Sequence, residues 1–328
     1  MWTSALPLLP AMALTLAAIV AATGRQWRSR NSALFAEIAA LIAFFGSVAI
    51  AWQLSQHGSF TTPLVGVGGI GLSMRVDVVS VVMLLLVTFI GWVVVRYSAT
   101  YLDGEQRQGR FTALLCATLA CVLMVVSAGN LFQLAVAWIA TSLFLHKLLL
   151  FYPERIAAQR AARKKFVAAR IGDLSLLIAS GVLAYGYATT DIASILAEAR
   201  LGEGGPYAVA AAVLIALAAI LKSAQFPMHG WLTEVMEAPT PVSALLHAGV
   251  INAGGFILIR FADVMLAAPG VLAALALLGG FTALFGGLVM LTQPAVKTSL
   301  AWSTVAQMGF MIFQCGLALF PIALLHIV

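Results

Sequence analysis

Runs of mostly apolar residues recur along nearly the whole of this chain, each close to the ~20 residues that a helix needs to cross the hydrocarbon of a bilayer. Ten such spans are read, at 6–24, 33–54, 76–96, 111–127, 130–151, 167–189, 206–223 with a broken extension to 236, 241–262, 269–291 and 298–319. An eleventh begins at Pro321. With 62% hydrophobic and 9% charged residues over 328 positions, there is too little polar sequence to cover a soluble globule of this size. The expected fold is therefore all-α, a polytopic membrane helix bundle of ten to eleven spans. No Pro/Ser-rich or charged linker is long enough to separate two bundles, so 1–328 reads as a single transmembrane domain in contact with lipid.

A formal charge of +6 raises the question of nucleic acid, and the placement of the charges excludes it. Arg25, Arg28 and Arg30, then Arg96, Arg107 and Arg110, then Arg155, Arg160, Arg163, Lys164, Lys165 and Arg170 fall in alternate loops, while the intervening loops hold only Arg75, Arg200 and Arg260. By the positive-inside rule the loops after spans 1, 3 and 5 are cytoplasmic and the amino terminus is extracytoplasmic. The first apolar run is followed by its arginines and lacks a convincing cleavage signature, so an uncleaved span is expected there. Cys116, Cys121 and Cys315 lie in apolar helices without metal or redox spacing and are assigned no chemistry. Gly66, Gly68 and Gly71 have the spacing of a dinucleotide fingerprint but no flanking βαβ pattern, which leaves a turn-rich extracellular hairpin.

Polar chemistry is concentrated between Lys222 and Arg260, in KSAQFPMHGWLTEVMEAPTPVSALLHAGVINAGGFILIR. A charge at mid-bilayer depth costs at least ~2.5 to 3.5 kcal/mol, so an intramembrane Lys222 must face a partner or water. Pro227 has no N–H, so the carbonyl of Ser223 loses its helical partner and the helix is expected to break beside the lysine. Broken helices mark ion and substrate sites, because irregular backbone at membrane depth must line a cavity or be buried in protein. Thr240 reads as an N-cap with Pro241 at the first helical position.

This segment resembles the broken helix and following helix of the antiporter-like subunits of respiratory complex I and Mrp-type cation antiporters, whose pattern K-S-A-Q-x-P-x-x-x-W-L…P-T-P-V-S-A-L-x-H is specific. The resemblance covers roughly 70–328, with Leu72–Asp77 and 97–102 matching the flanks of the family's third span. It implies two inverted five-helix repeats, with span 7 the broken helix of the first. The second broken helix would lie beyond Val328, so one complete half-channel and a truncated second repeat are expected.

Lys222 then takes the place of the family's central proton-loading lysine. Burial favours the neutral amine and a nearby carboxylate favours the ammonium, so moving the carboxylate switches the lysine between holding and releasing its proton. Asp173, in ARIGDLSLL, matches the family's aspartate and is the acidic partner expected for Lys222, although a first-turn aspartate favoured by the helix dipole is the plainer reading. His247 matches the family's relay histidine. His326 resembles the histidine linking two half-channels. His146, on span 5, could relay a proton, since an unperturbed imidazole titrates near pH ~6.5. Lys147 beside it is either on the path or snorkelling to the helix end. For His229, relay and structural readings are equally open. Glu234 and Glu237 close the short helix after the break, either as a proton entrance or as a plain water-interface pair.

One departure separates the branches of the family. The glutamate expected after Trp138 in complex I and Mrp subunits is Ile139 here, and with the following segment 141–155 this resembles the membrane subunit of DAB inorganic-carbon accumulation complexes. That resemblance implies flux of protons or sodium driving CO2 hydration to bicarbonate by a large cytoplasmic partner similar to a zinc β-carbonic anhydrase. The chain itself would be no enzyme and hold no cofactor, zinc belonging to the partner, and it would sit in a bacterial inner membrane. A complex I or Mrp-type antiporter subunit and a non-conducting anchor for a soluble enzyme are the alternatives.

Overall fold

A computed structural model describes residues 5–23, 29–234 and 238–328. Long helices dominate: α1 (Leu9–Thr23), α2 (Ser29–His57), α3 (Val78–Tyr101), α4 (Gln108–Val126), α5 (Leu131–Leu149), α6 (Ile156–Gly186), α8 (Gly205–Lys222), α13 (Pro269–Leu291) and α14 (Val296–Gly316). Shorter ones are α7 (Ile192–Arg200), α9 (Gly230–Glu234), α10 (Thr240–Leu245), α11 (Ala253–Arg260), α12 (Ala262–Leu266) and α15 (Phe320–Ile327). Among the described residues, eight helices are long and apolar enough to span a membrane. Their outer faces carry large apolar side chains such as Phe45, Trp52, Leu284 and Leu288, exposure that water would penalise and lipid accepts.

The chain falls into two compact units, Met1–Phe151 with Ala238–Val250, and Tyr152–Glu237 with Ile251–Val328. In the first, α1 packs on α2 and α4, α2 on α3, and α4 on α5. The glycine-rich stretch forms the expected hairpin, β2 (Val65–Val67) antiparallel to β3 (Ile70–Leu72), turned by Gly68 and Gly69 at φ +61° and +80°. Outside it, β1 (Phe60–Thr61) pairs with β4 (Arg75–Val76). Asn130 fixes this hairpin to α5: its side-chain amide donates to Gly71 O and Ser73 Oγ, while its Oδ1 accepts from Gln133 N at 2.8 Å as the N-cap.

In the second unit α6 packs on α8, α11 on the end of α8, and α13 on α14. The last pair is held by small residues, since a Cβ on Gly279 would meet Phe313 N at 2.4 Å, on Gly309 Ala283 N at 2.5 Å, and on Gly316 Ala276 N at 2.2 Å. Lipid supplies no hydrophobic drive between helices, so this close backbone approach is what joins them. Gly309→Val is expected to destabilise the protein by about 1–3 kcal/mol or more. Gly287→Val, with nothing within 4 Å of its Cβ, is the neutral control. Melting of the two variants in detergent checks it, and equal midpoints would contradict this interface.

Three expectations are corrected. Helix α6 begins at Ile156, well ahead of the apolar span expected from 167, so Arg160, Arg163, Lys164, Lys165 and Arg170 ride on α6 and not in a loop, and only residues 150–155 separate it from α5 as non-helical chain. The span placed at 241–262 is interrupted: α10 runs into a π-helical turn at Leu246–Val250, and α11 starts at Ala253. The segment at 298–319 forms a helix as expected, α14, which carries Gln307 and Gln314 along its length. Thr240 is not the N-cap of α10; Pro239 is, and the Thr240 hydroxyl lies 3.4 Å from Tyr101 Oη. The polar stretch 190–205 also holds α7, capped by Asp191 on Ser194 N.

Candidate functional site

Helix α8 ends at Lys222, and residues 223–229 are non-helical, with Ala224 at φ 51° and a cis Phe226–Pro227 bond. The groups that this break frees are met within the second unit. Gln225 Nε2 donates to Ser223 O at 3.0 Å, the carbonyl that Pro227 cannot serve. Thr282 Oγ1, on α13, accepts from Phe226 N at 3.2 Å, and Gln225 N donates to Ile220 O. Ser223, Gln225 and Thr282 are fully buried, so the polar groups of the break are handled by protein and not by lipid. Gly254 of α11 lets that helix lie against the end of α8, since a Cβ there would stand 2.6 Å from Ala219 O.

Lys222 itself is 8% exposed, too buried to be snorkelling from a helix end. On the facing helix, a Cβ at Gly172 would touch Leu221 Cβ at 3.5 Å, which puts the neighbouring Asp173, 5% exposed, beside the end of α8. Asp173 attracts Lys222, and Arg170 repels it. Asp173 lies deep within the 31-residue α6, so the first-turn reading of this aspartate fails. Arg170 pairs with Asp173 at 2.5 Å and lies over the Phe166 ring. Lys165 is 3% exposed and interacts electrostatically with Lys222, Asp173 and Arg170.

Lys165 and Arg170 are the residues that sequence reasoning missed, because they were counted as loop charges. The signal was present: 156–171 contains no Gly or Pro and five alanines from Ala157 to Ala168, a composition that continues a helix rather than ending one.

The other expected residues have the following surroundings. His229, half-buried, packs among Phe226, Phe285 and Trp302 at centroid distances of 5.7, 5.7 and 5.1 Å. Its buried Nδ1 has no hydrogen-bond partner among the described residues. Glu234, half-buried at the end of α9, pairs with Lys164. Beside them a cavity of about 560 Å³ is lined by Arg163, Lys164, Leu221, Pro227 and Trp231, reaching the residue just before Lys222. Glu237 lies outside the described residues. His326 stacks on Phe310 at 5.8 Å. In the first unit, His247 is half-buried within the π turn, an irregularity frequent at functional sites. His146 is half-buried and Lys147 exposed in the last turn of α5, one helix with buried Trp138 and half-buried Ile139. Among the described residues, no three His, Cys, Asp or Glu side chains gather as metal ligands would.

Comparison with known proteins agrees with this architecture. Residues 128–327 match the family described as NADH:quinone oxidoreductase/Mrp antiporter, TM, and 65–112 match the complex I chain 5 N-terminus. Over 80% of its length the chain is 47% identical to a probable inorganic carbon transporter subunit DabB2 of Halothiobacillus neapolitanus, of which it covers 48%. Over 98% of its length it is 34% identical to the chloroplastic NAD(P)H-quinone oxidoreductase subunit 5 of Zygnema circumcarinatum, again covering 48%. The chain thus spans about half the length of these curated relatives. Its fold superposes on a chain of the Mrp complex from Dietzia sp. DQ12-45-1b with a TM-score of 0.85 at 26% identity, covering all of this chain and 36% of that one. A broken helix with a buried lysine at the break, an aspartate on the facing helix and a matching family model over 128–327 together make this chain a member of the antiporter-like membrane subunit family shared by complex I and Mrp antiporters.

Proposed function

We propose that this chain is the ion-conducting membrane subunit of an energy-coupled inorganic-carbon pump in a bacterial inner membrane, passing protons or sodium to drive a zinc carbonic-anhydrase-like partner that hydrates CO2 to bicarbonate. The observation that carries the branch is the 47% identity to an inorganic carbon transporter subunit, against 34% to a quinone oxidoreductase subunit. Ile139, where respiratory relatives are expected to carry glutamate, points the same way. A subunit of an Mrp-type antiporter is the second reading, favoured by the full-length superposition on an Mrp chain. A plain anchor would have no use for the buried charges Lys165, Asp173 and Lys222, which cost folding energy to bury.

Lys222 is the group that would load and release the ion or proton, with Asp173 setting its affinity. His247 and His326 would pass protons onward. His146 and His229 would serve as further relays, with Lys147 at the helix end. Glu234 and Glu237 would form the entrance beside the cavity at Pro227. Zinc would be held by the partner, and no residue of this chain is assigned to it.

Affinity purification of the full-length protein from its own host tests the assignment. A large soluble subunit carrying zinc and CO2-hydration activity is expected to co-purify, with no zinc on the membrane subunit alone. Recovery of a set of complex I or Mrp subunits instead would overturn it.

The proposed orientation has its own test. With the amino terminus extracytoplasmic, Pro153→Cys in the loop before α6 is expected to react with an impermeant maleimide only after cells are opened, and Val67→Cys in the hairpin to react in intact cells. Labelling of Pro153→Cys in intact cells would reverse the topology.

A further inference from the structure

One face of α6 changes character along its length. Arg160, Arg163 and Lys164 are exposed near its start, and one and two turns after Arg163 the apolar side chains of Val167 and Ile171 are exposed on the same face, 59% and 46%. Arg163, Lys164, Val167 and Ile171 all line the cavity of about 560 Å³ beside the helix break. The wall opposite them includes Leu221 at the end of α8, Met228 in the non-helical chain and Trp231 of α9, all within the second unit.

The charge at the α6 mouth of this cavity is not balanced. Lys164 pairs with Glu234, whereas Arg160 and Arg163 have no acidic partner among the described residues. From Arg163 to Ile171 the helix rises ~12 Å, so two turns of apolar wall lead away from the arginines. Met228, 50% exposed, extends that wall. A ligand that satisfies both parts has an anionic head and an apolar tail. Guanidinium groups suit phosphate, which they bind through paired N–H donors, and basic clefts between membrane helices suit anionic headgroups.

We propose that this cavity holds an anionic phospholipid of the surrounding bilayer, with its phosphate on Arg160 and Arg163 and one acyl chain along Val167, Ile171 and Met228 toward Trp231. The chain covers the apolar flank of the break as far as Leu221, one residue before Lys222. Occupancy of the cavity does not depend on ions passing at Lys222.

The test uses Trp231 as the reporter. The full-length protein with its natural partners is reconstituted in phosphatidylcholine vesicles containing rising fractions of phosphatidylglycerol or phosphatidylcholine brominated in the acyl chains, which quench indoles they touch. The Trp231 signal is the difference between wild type and Trp231→Phe, a substitution that removes an indole N–H without a hydrogen-bond partner among the described residues. Half-quenching is expected at a phosphatidylglycerol fraction about tenfold below that of phosphatidylcholine. Arg163→Gln is expected to lower this preference about fivefold, and Arg160→Gln/Arg163→Gln to remove it while quenching by phosphatidylcholine persists. Both arginines are exposed, so these replacements leave assembly intact. Equal quenching by the two lipids in the wild type, or undiminished preference in the double variant, would overturn the site. Absence of Trp231 quenching by either lipid would overturn it too, and would mean that a partner subunit or a second copy covers the cavity.

Discussion

Replacing Lys222 by Ala is expected to abolish growth in ambient air of an uptake-deficient strain that the wild-type gene and its partner rescue, with both subunits at normal abundance in the membrane. The separation of function from assembly follows from how the break is built. Ser223 O is satisfied by Gln225, and Phe226 N by Thr282, so the backbone after α8 does not depend on the lysine side chain. Removing the ammonium also relieves its repulsion by Arg170 and Lys165 and leaves Asp173 still paired with Arg170. Substituting a buried charge is often neutral to stability when the remaining charges keep their partners. Lost rescue at full abundance is thus the signature of a missing ion-loading group. His247→Ala is expected to give a partial loss only.

Asp173→Asn is the second large effect, and it differs in kind. The substitution leaves Lys165, Arg170 and Lys222 around a neutral amide, and uncompensated buried charge of this sort costs about 3–5 kcal/mol. Rescue is expected to fail and membrane abundance to fall. The double variant Arg170→Gln/Asp173→Asn removes one charge of each sign and is expected to recover abundance without recovering rescue, because the field that tunes Lys222 is still missing. Rescue by the double variant would show that Asp173 serves only to balance Arg170. Immunoblots of the membrane fraction beside growth curves measure both quantities.

The long helices and the break were legible in the chain because each rests on a local rule: apolar length for α3, α4, α5 and α13, and a missing N–H for Pro227. The hairpin at Val65–Leu72 followed from glycines that accept positive φ. What escaped was governed by tertiary surroundings. Lys165 and Arg170 were indistinguishable from topogenic loop charges until α6 was seen to start at Ile156 and to press Gly172 against Leu221. The π turn at His247 left no trace in a sequence that reads as continuous helix from Pro241 to Arg260. The partners at the break, Gln225 and Thr282, are ordinary polar residues whose role depends on where α13 passes. The cage of Phe226, Phe285 and Trp302 around His229 likewise joins residues far apart in the chain.

The central claim is that ion movement through the buried Lys222 site drives carbon accumulation. Uptake of radiolabelled inorganic carbon by cells expressing the full-length protein and its partner tests it most directly, with wild type and Lys222→Ala compared at matched membrane abundance. Accumulation is predicted in the wild type, abolished both by an ionophore that collapses the driving gradient and by Lys222→Ala. Accumulation by Lys222→Ala equal to that of the wild type would contradict the account and leave the chain a membrane anchor.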